Sequence, residues 1–251
     1  MKYTYLLVFF SFSLCNTNAQ VDTIYHLNRN QIKKYLKPSS NQYLVFIQSK
    51  SNPQKTTTWI WSRQIKFTKK NNLDLIEIEQ KWYASDTTRN RYLYSQVRAN
   101  DFTPVYHYTK MTKGTDAFDF YSDKIIGSDS IANNSKKDFN LKLTQPLLNW
   151  ELDMETFPLL SLKNGKRFLI SFYHPSGPGP KLYEYKVIGE EIVKTIDGGA
   201  VPCWKLYHQF NEKSWSIFYI SKKGREMLKM EEDFGTGTRY KVKLSNTVAI
   251  R

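Results

Sequence analysis

Side chains able to ligate a metal or to serve as nucleophile and base are few in this chain: His26, His107, His174, His208 and, beyond the N-terminal segment, Cys203. Tight zinc sites draw on closely spaced ligand pairs, whereas these five stand singly. Cys203 and His208 are five positions apart, an odd number, so on one regular strand they face opposite ways. No metal centre is expected. A nucleophilic Cys203 would need a base oriented by a third group. Instead Val201, Pro202 and Trp204 surround it, apolar neighbours that raise a thiol pKa. No nucleophile-elbow pattern is present. Glu190-Glu191 and Glu231-Glu232-Asp233 pair carboxylates, but adjacent residues on a strand point apart and cannot converge on one bond. The glycine-rich pieces Ser176-Gly177-Pro178-Gly179-Pro180 and Gly235-Thr236-Gly237 lack the lysine and helix of a phosphate cradle and read as hairpin loops. His174 either ends a strand or borders a pocket mouth. The expectation is a protein that is not an enzyme, with no catalytic residue, metal or cofactor.

The more distinctive chemistry is aromatic. Trp59 and Trp61, Tyr92 and Tyr94, Tyr106 and Tyr108, Phe118 and Phe120, and Tyr183 and Tyr185 alternate with other residues. On a strand, positions two apart share a face, so each pair decorates one sheet surface. Adjacent strands would gather the pairs into an aromatic wall, and on a curved sheet that wall would line a cavity for an apolar ligand. The plainer alternative is that the wall is simply the core.

These pairs need strands, and the patterning supplies them. From Tyr43 onward the apolar period is two, with polar clusters every eight to fourteen residues, the signature of a β meander. Strands are expected over Tyr43–Gln48, Thr57–Phe67, Leu73–Tyr83, Arg91–Arg98, Val105–Met111 and Ala117–Ser122. The second half adds Arg167–Tyr173, Leu182–Ile188, Cys203–Phe210, Ser214–Ser221, Glu226–Glu232 and Thr238–Leu244. Between Leu73 and Ile78 the apolar set shifts from Leu73/Leu75 to Ile76/Ile78, which one extra residue, a bulge, would explain. Two helical stretches break the pattern. Ile32, Tyr35 and Leu36 have helical spacing before Pro38, and Asn149 caps a segment whose early acids are Glu151, Asp153 and Glu155.

The N-terminal nineteen residues combine Lys2, an apolar run from Leu6 to Cys15 and a small polar end at Thr17-Asn18-Ala19. That is the layout of a secretory signal peptide, too short to span a bilayer, which takes roughly 20 apolar residues. Cleavage is expected between Ala19 and Gln20, leaving residues 20–251 as one β-rich domain in the periplasm. Lipidation of Cys15 is disfavoured because Leu14 before it is not small. With Cys15 removed, Cys203 is the lone thiol and no internal disulfide can form. The net charge of +14 favours anionic partners, while export argues against nucleic acid among them. The cations are spread in pairs such as Lys33-Lys34 and Lys69-Lys70, which also fits solvated turns.

Several features of the second half coincide with a known family. Gln145-Pro146-Leu147-Leu148-Asn149-Trp150, Glu155-Thr156-Phe157-Pro158-Leu159 and Val187-Ile188-Gly189-Glu190-Glu191-Ile192 are followed by Gly198, Gly199 and Val201-Pro202-Cys203-Trp204-Lys205. Phe218-Tyr219-Ile220-Ser221-Lys222 and Leu228-Lys229-Met230-Glu231 complete the series. Over residues 137–244 the chain resembles the exported bacterial family known as domain of unknown function 3108. That resemblance implies an architecture like the periplasmic lipoprotein carriers: a strongly curved antiparallel half-open barrel with a few short helices plugging its mouth. It carries over no catalytic residue. Gly189 suits a bend in a strand, Trp204 a large core side chain and Cys203 a small buried one.

Together these readings describe a monomeric, mostly β envelope protein that binds a lipid or other amphiphile in the hollow of its sheet, with rim cations meeting an anionic head group or membrane surface. The alternative is a filled module that docks on an envelope protein or a glycan.

Overall fold

Two-residue periodicity becomes a single, largely antiparallel sheet built from two meanders, one from each half of the chain. The computed structural model describes residues 21–245, so Cys15 and the Ala19-Gln20 cleavage point lie outside the described residues. The N-terminal half supplies β1 (Val21–Ile24), α1 (Arg29–Tyr35), β2 (Ser39–Ser49), β3 (Thr56–Lys70), β4 (Leu73–Ala84), β5 (Arg91–Arg98), β6 (Pro104–Met111), β7 (Gly114–Phe120), β8 (Lys124–Gly127) and β9 (Asn140–Lys142). The remainder supplies β10 (Leu148–Asn149), α2 (Asp153–Thr156), β11 (Arg167–Tyr173), β12 (Lys181–Lys194), β13 (Ala200–Asn211), β14 (Ser214–Ser221), β15 (Met227–Phe234) and β16 (Gly237–Lys243). The strands run in the order β1-β11-β12-β13-β14-β15-β16-β2-β3-β4-β5-β6-β7-β8-β9. The two meanders join where β16 pairs β2, in register from Gly237 opposite Ser49 to Lys243 opposite Tyr43.

The sheet does not close by hydrogen bonding, since β9 lies at one end of the order and β1 at the other. Curvature nevertheless brings the two ends into side-chain contact. Phe120 of β7 meets Tyr173 of β11 edge to face at 6.1 Å, and Asn149 Nδ2 lies 3.2 Å from His107 Nδ1 of β6. The result is the expected half-open barrel.

A plug fills its concave side. Asn149 Oδ1 accepts from the Glu151 amide at 3.0 Å, satisfying one of the free amides at a helix start. Where one continuous helix was expected, a turn of 3-10 helix, the four residues of α2 and a second 3-10 turn follow each other. Pro158 explains the break after α2, because it has no amide to donate back along a helix. The plug drives Leu152, Met154, Phe157, Leu159 and Leu160 into a buried cluster with Val45, Ile76, Ile78, Phe168, Phe172, Tyr185, Leu206 and Phe218. Phe157 is fully buried, with ring centroids of Phe218 and Tyr185 at 4.6 and 4.8 Å. Ile32 of α1 joins the same cluster.

The expected bulge between Leu73 and Ile78 is absent. β4 pairs β3 and β5 there in unbroken register. Leu75 and Ile76 point to opposite faces and both are buried, so the apolar doublet reflects a strand covered on both sides rather than an inserted residue. A register shift does occur between Val187 and Glu190. Gly189 sits inside it at φ 132 with open space where a Cβ would stand. The glycine is required by the backbone bend, not by a close neighbour.

Candidate functional site

Sheet parity sorts the ten aromatic candidates. Trp59, Trp61, Tyr183 and Tyr185 lie on the concave face and pack into the main core. Phe118 and Phe120 face inward too, but into a separate cluster with Ile125, Leu147 and Tyr173 that seals the two ends of the sheet. Tyr92, Tyr94, Tyr106 and Tyr108 are on the other face: Tyr94 stands opposite Glu79 on one neighbour and opposite Tyr108 on the other. There they form their own half-buried cluster, with Tyr92 against Tyr108 at 5.9 Å and Tyr94 against Tyr106 at 6.2 Å. The single wall expected from alternation is therefore two surfaces. Alternation shows that two residues share a face but not which face that is.

The plug occupies the concave side, and at the rim a groove of about 610 Å³ lies between α1 and the β3–β4 hairpin. Asn28 caps α1 by accepting from the Asn30 amide at 2.9 Å. On that helix Arg29, Ile32 and Lys33 fall three and four residues apart, hence on one side. The hairpin turns through Asn71 and Asn72, both left-handed at φ 48 and 62, the backbone a tight two-residue hairpin needs. This turn brings Phe67 and Leu73 to the groove as lips that are 42 % and 44 % exposed, over Ile32 and Leu75, which are buried. Arg29, Lys33, Lys69 and Arg98 line it, with Asp74 as the acid among them. None of these four cations is in an ion pair among the described residues. An apolar floor ringed by free cations can take an amphiphile whose polar end is anionic.

Of the residues with potential for catalysis, His174 and His208 both pack against Trp150 and Tyr183, while His26, His107 and Cys203 stand elsewhere. His107 is fully buried, bonded through Nδ1 to Ser95 Oγ at 2.8 Å and through Nε2 to Thr109 Oγ1 at 3.0 Å. Burial, helped by the Arg91 charge, pushes its pKa down to about 3. His208 Nδ1 donates to the Glu184 carbonyl at 2.7 Å, and its ring stacks on Tyr185 at 4.6 Å. His174 stacks on Trp150 at 4.2 Å. His26 Nδ1 lies 3.2 Å from Thr103 Oγ1. Cys203 is buried in a small cluster with Val193, Tyr219 and Leu228, and burial raises its thiol to about 11. Glu190, Glu191, Glu231, Glu232 and Asp233 form ion pairs with Lys222, Lys205, Lys229, Arg239 and Lys50 respectively. Among the described residues no group of three or more His, Cys, Asp or Glu is placed to hold a metal ion.

Aromatic periodicity missed the residues that make the polar features of the inner face. Arg63 continues the inward row of Trp59 and Trp61 on β3, and its guanidinium holds the Glu155 carboxylate of the plug at 2.9 and 2.5 Å. An arginine interrupting an apolar row at even spacing was the available signal. Trp82 and Arg91 follow from hairpin register, since Trp82 stands opposite Trp61 on one neighbour and Arg91 on the other, whereas Trp150 and Lys241 had no signal because their partners come from distant segments.

No curated protein matches the chain. Among solved structures, a β-barrel-like protein of the DUF1849 family from Brucella abortus is 9% identical with a TM-score of 0.49, covering 82% of this chain and 97% of its own. A DUF1329 family protein from Desulfovibrio piger is 10% identical with a TM-score of 0.29, covering 86% and 87% respectively. A family match runs over residues 42–244. It takes in the N-terminal meander from β2 onward as well as the motif-bearing second half. By that match the chain belongs to the family described as Protein of unknown function (DUF3108).

Proposed function

We propose that the protein is exported to the periplasm, where it binds, without catalysing a reaction, an amphiphile with an anionic head group. The observation that carries this reading is the rim groove, where four cations free of ion pairs surround an apolar floor with exposed lips. Burying the aliphatic part of a ligand against Ile32, Phe67, Leu73 and Leu75 contributes about 25 cal/mol per Å² of apolar area, and the cations add head-group selectivity. Export rests on the signal-like first nineteen residues.

Titration with lysophosphatidylglycerol and with lysophosphatidylcholine tests it. The anionic lipid should bind more tightly, and Lys69→Ala combined with Arg98→Ala should remove the preference while leaving the fold intact. Equal or absent binding of the two lipids, and no amphiphile in solvent extracts of protein isolated from its own periplasm, would reject the reading.

A docking module is the second reading, favoured by the plugged concave side and by Ile192 and Ile196 standing 66 % and 57 % exposed. Crosslinking in intact envelopes separates the two, because a docking module gives one stoichiometric protein partner.

A further inference from the structure

A second, smaller cleft lies on the concave face, about 240 Å³ between the plug and the inward side chains of β3 to β5 and β14 to β16. Its wall holds a column of stacked groups. Trp61 and Trp82 lie face to face with centroids 3.9 Å apart and planes 10° from parallel. The Lys241 ammonium sits 4.4 Å above the outer face of Trp61, and the Arg91 guanidinium sits 4.6 Å from Trp82. Two cations thus bracket two indoles across β16, β3, β4 and β5, each held by attraction to a ring face.

What sets this cleft apart is a surplus of donors. The Trp61 indole N–H, Arg91 Nε–H and Ser216 hydroxyl are buried without a hydrogen-bond partner among the described residues. Trp61 and Ser216 are 5% and 1% exposed. Lys241, 5% exposed, is in no ion pair among the described residues. Burial pushes its ammonium down to about 8 even though Asp153 holds it up, the direction expected of a cation without a close counter-charge. A buried donor left unpaired costs about 1–3 kcal/mol, so native proteins rarely leave several in one place.

The acids of the cleft do not meet this demand. Glu232 is held by Arg239, whose Nε donates at 2.6 Å. Asp153 Oδ1 accepts from the Met154 amide at 2.6 Å. Burial raises the Glu151 carboxyl towards its neutral form. At roughly 30 Å³ per water, the space holds about eight waters, enough for a phosphate or a small carboxylate and too little for an acyl chain.

We infer that this cleft is a binding site for a small oxyanion, a phosphate monoester or carboxylate group received by Lys241 and the Trp61 indole N–H beside it, with Arg91 at the far end of the indole column. It is separate from the rim groove and does not depend on that groove's role.

The test follows the Trp61 indole N–H resonance of the full mature protein by NMR, assigned by its loss in Trp61→Phe. Inorganic phosphate and dodecyl phosphate are titrated against chloride of equal ionic strength. Either phosphate should move the resonance downfield to saturation, and Lys241→Met, which keeps the side-chain volume, should weaken binding about tenfold or more, as expected for loss of one charge-assisted bond. Lys241→Gln should weaken it as well, so that a folding defect in one variant does not decide the outcome. A response to inorganic phosphate assigns a free anion, and a response to dodecyl phosphate alone assigns an amphiphile head group. No response to either, or unchanged affinity in both folded variants, overturns the site.

Discussion

The plug is tied to the sheet by one buried charge pair, and cutting it gives a sharp measure of what holds the concave side closed. Arg63 and Glu155 are 3% and 5% exposed, with two parallel bonds between them. The guanidinium also donates to Gln80 Oε1 at 2.7 Å and to the Glu151 carbonyl at 3.1 Å, while Gln80 Nε2 donates to that same carbonyl at 2.9 Å. Every donor of Arg63 used here points at the plug or at the residue that helps anchor it. Glu155→Leu leaves a buried guanidinium without its counter-charge, and removing one partner of such a pair costs about 3–5 kcal/mol. For a chain of this size each kcal/mol lowers Tm by about 2–4 °C, so the variant should melt roughly 6–20 °C below the parent. Arg63→Met with Glu155→Leu removes both charges together and fills the space with apolar groups, a replacement that is commonly neutral or stabilising. The double variant should therefore recover most of the loss. Urea unfolding followed by circular dichroism supplies the four corners of the cycle. Single-variant losses within about 0.5 kcal/mol, or losses that simply add in the double variant, would refute the idea that this pair acts as a coupled clamp.

Two further outcomes follow from burial. His107 is held neutral, its pKa lowered to about 3 by burial and by Arg91, while in the unfolded chain it titrates near 6.5. The unfolded state then takes up a proton that the folded state refuses. Stability is unaffected above pH 6.5 and falls as pH drops from there towards 3, by up to a few kcal/mol; His107→Gln should flatten that part of the urea-midpoint profile, and an unchanged slope would assign the acid sensitivity elsewhere. Phe157→Ala empties the centre of the plug, where Phe172, Tyr185 and Phe218 converge. A loss of about 3–5 kcal/mol in chemical unfolding is expected, and a loss below about 1 kcal/mol would mean that the plug does not pack as described.

The plug and the rim groove also depend on each other. Ile32 buries itself in the main core while lining the groove, so α1 cannot leave without exposing core surface. The proposed amphiphile would rest against a wall that the plug helps to hold in place, and changes to the clamp should be measured for amphiphile binding as well as for stability.

Strand identity and order of appearance were legible in the sequence because alternation is a local property. Arg91–Arg98, Arg167–Tyr173 and Ser214–Ser221 match the expected strands end to end, and Asn149 caps the segment it was expected to cap. Short β1, β8, β9 and β10 are not legible in the sequence because two to four residues carry too little pattern. What alternation could not decide is which side of a strand turns inward, since that is settled by the curvature of the whole sheet. Tyr92, Tyr94, Tyr106 and Tyr108 share the spacing of Trp59 and Trp61 yet lie on the outer face. Both proposed binding surfaces have the same origin in long-range pairing. Lys241 reaches Trp61 only because β16 pairs β2 beside β3, and Arg29 meets Lys69 at one groove only because α1 folds over the β3–β4 turn.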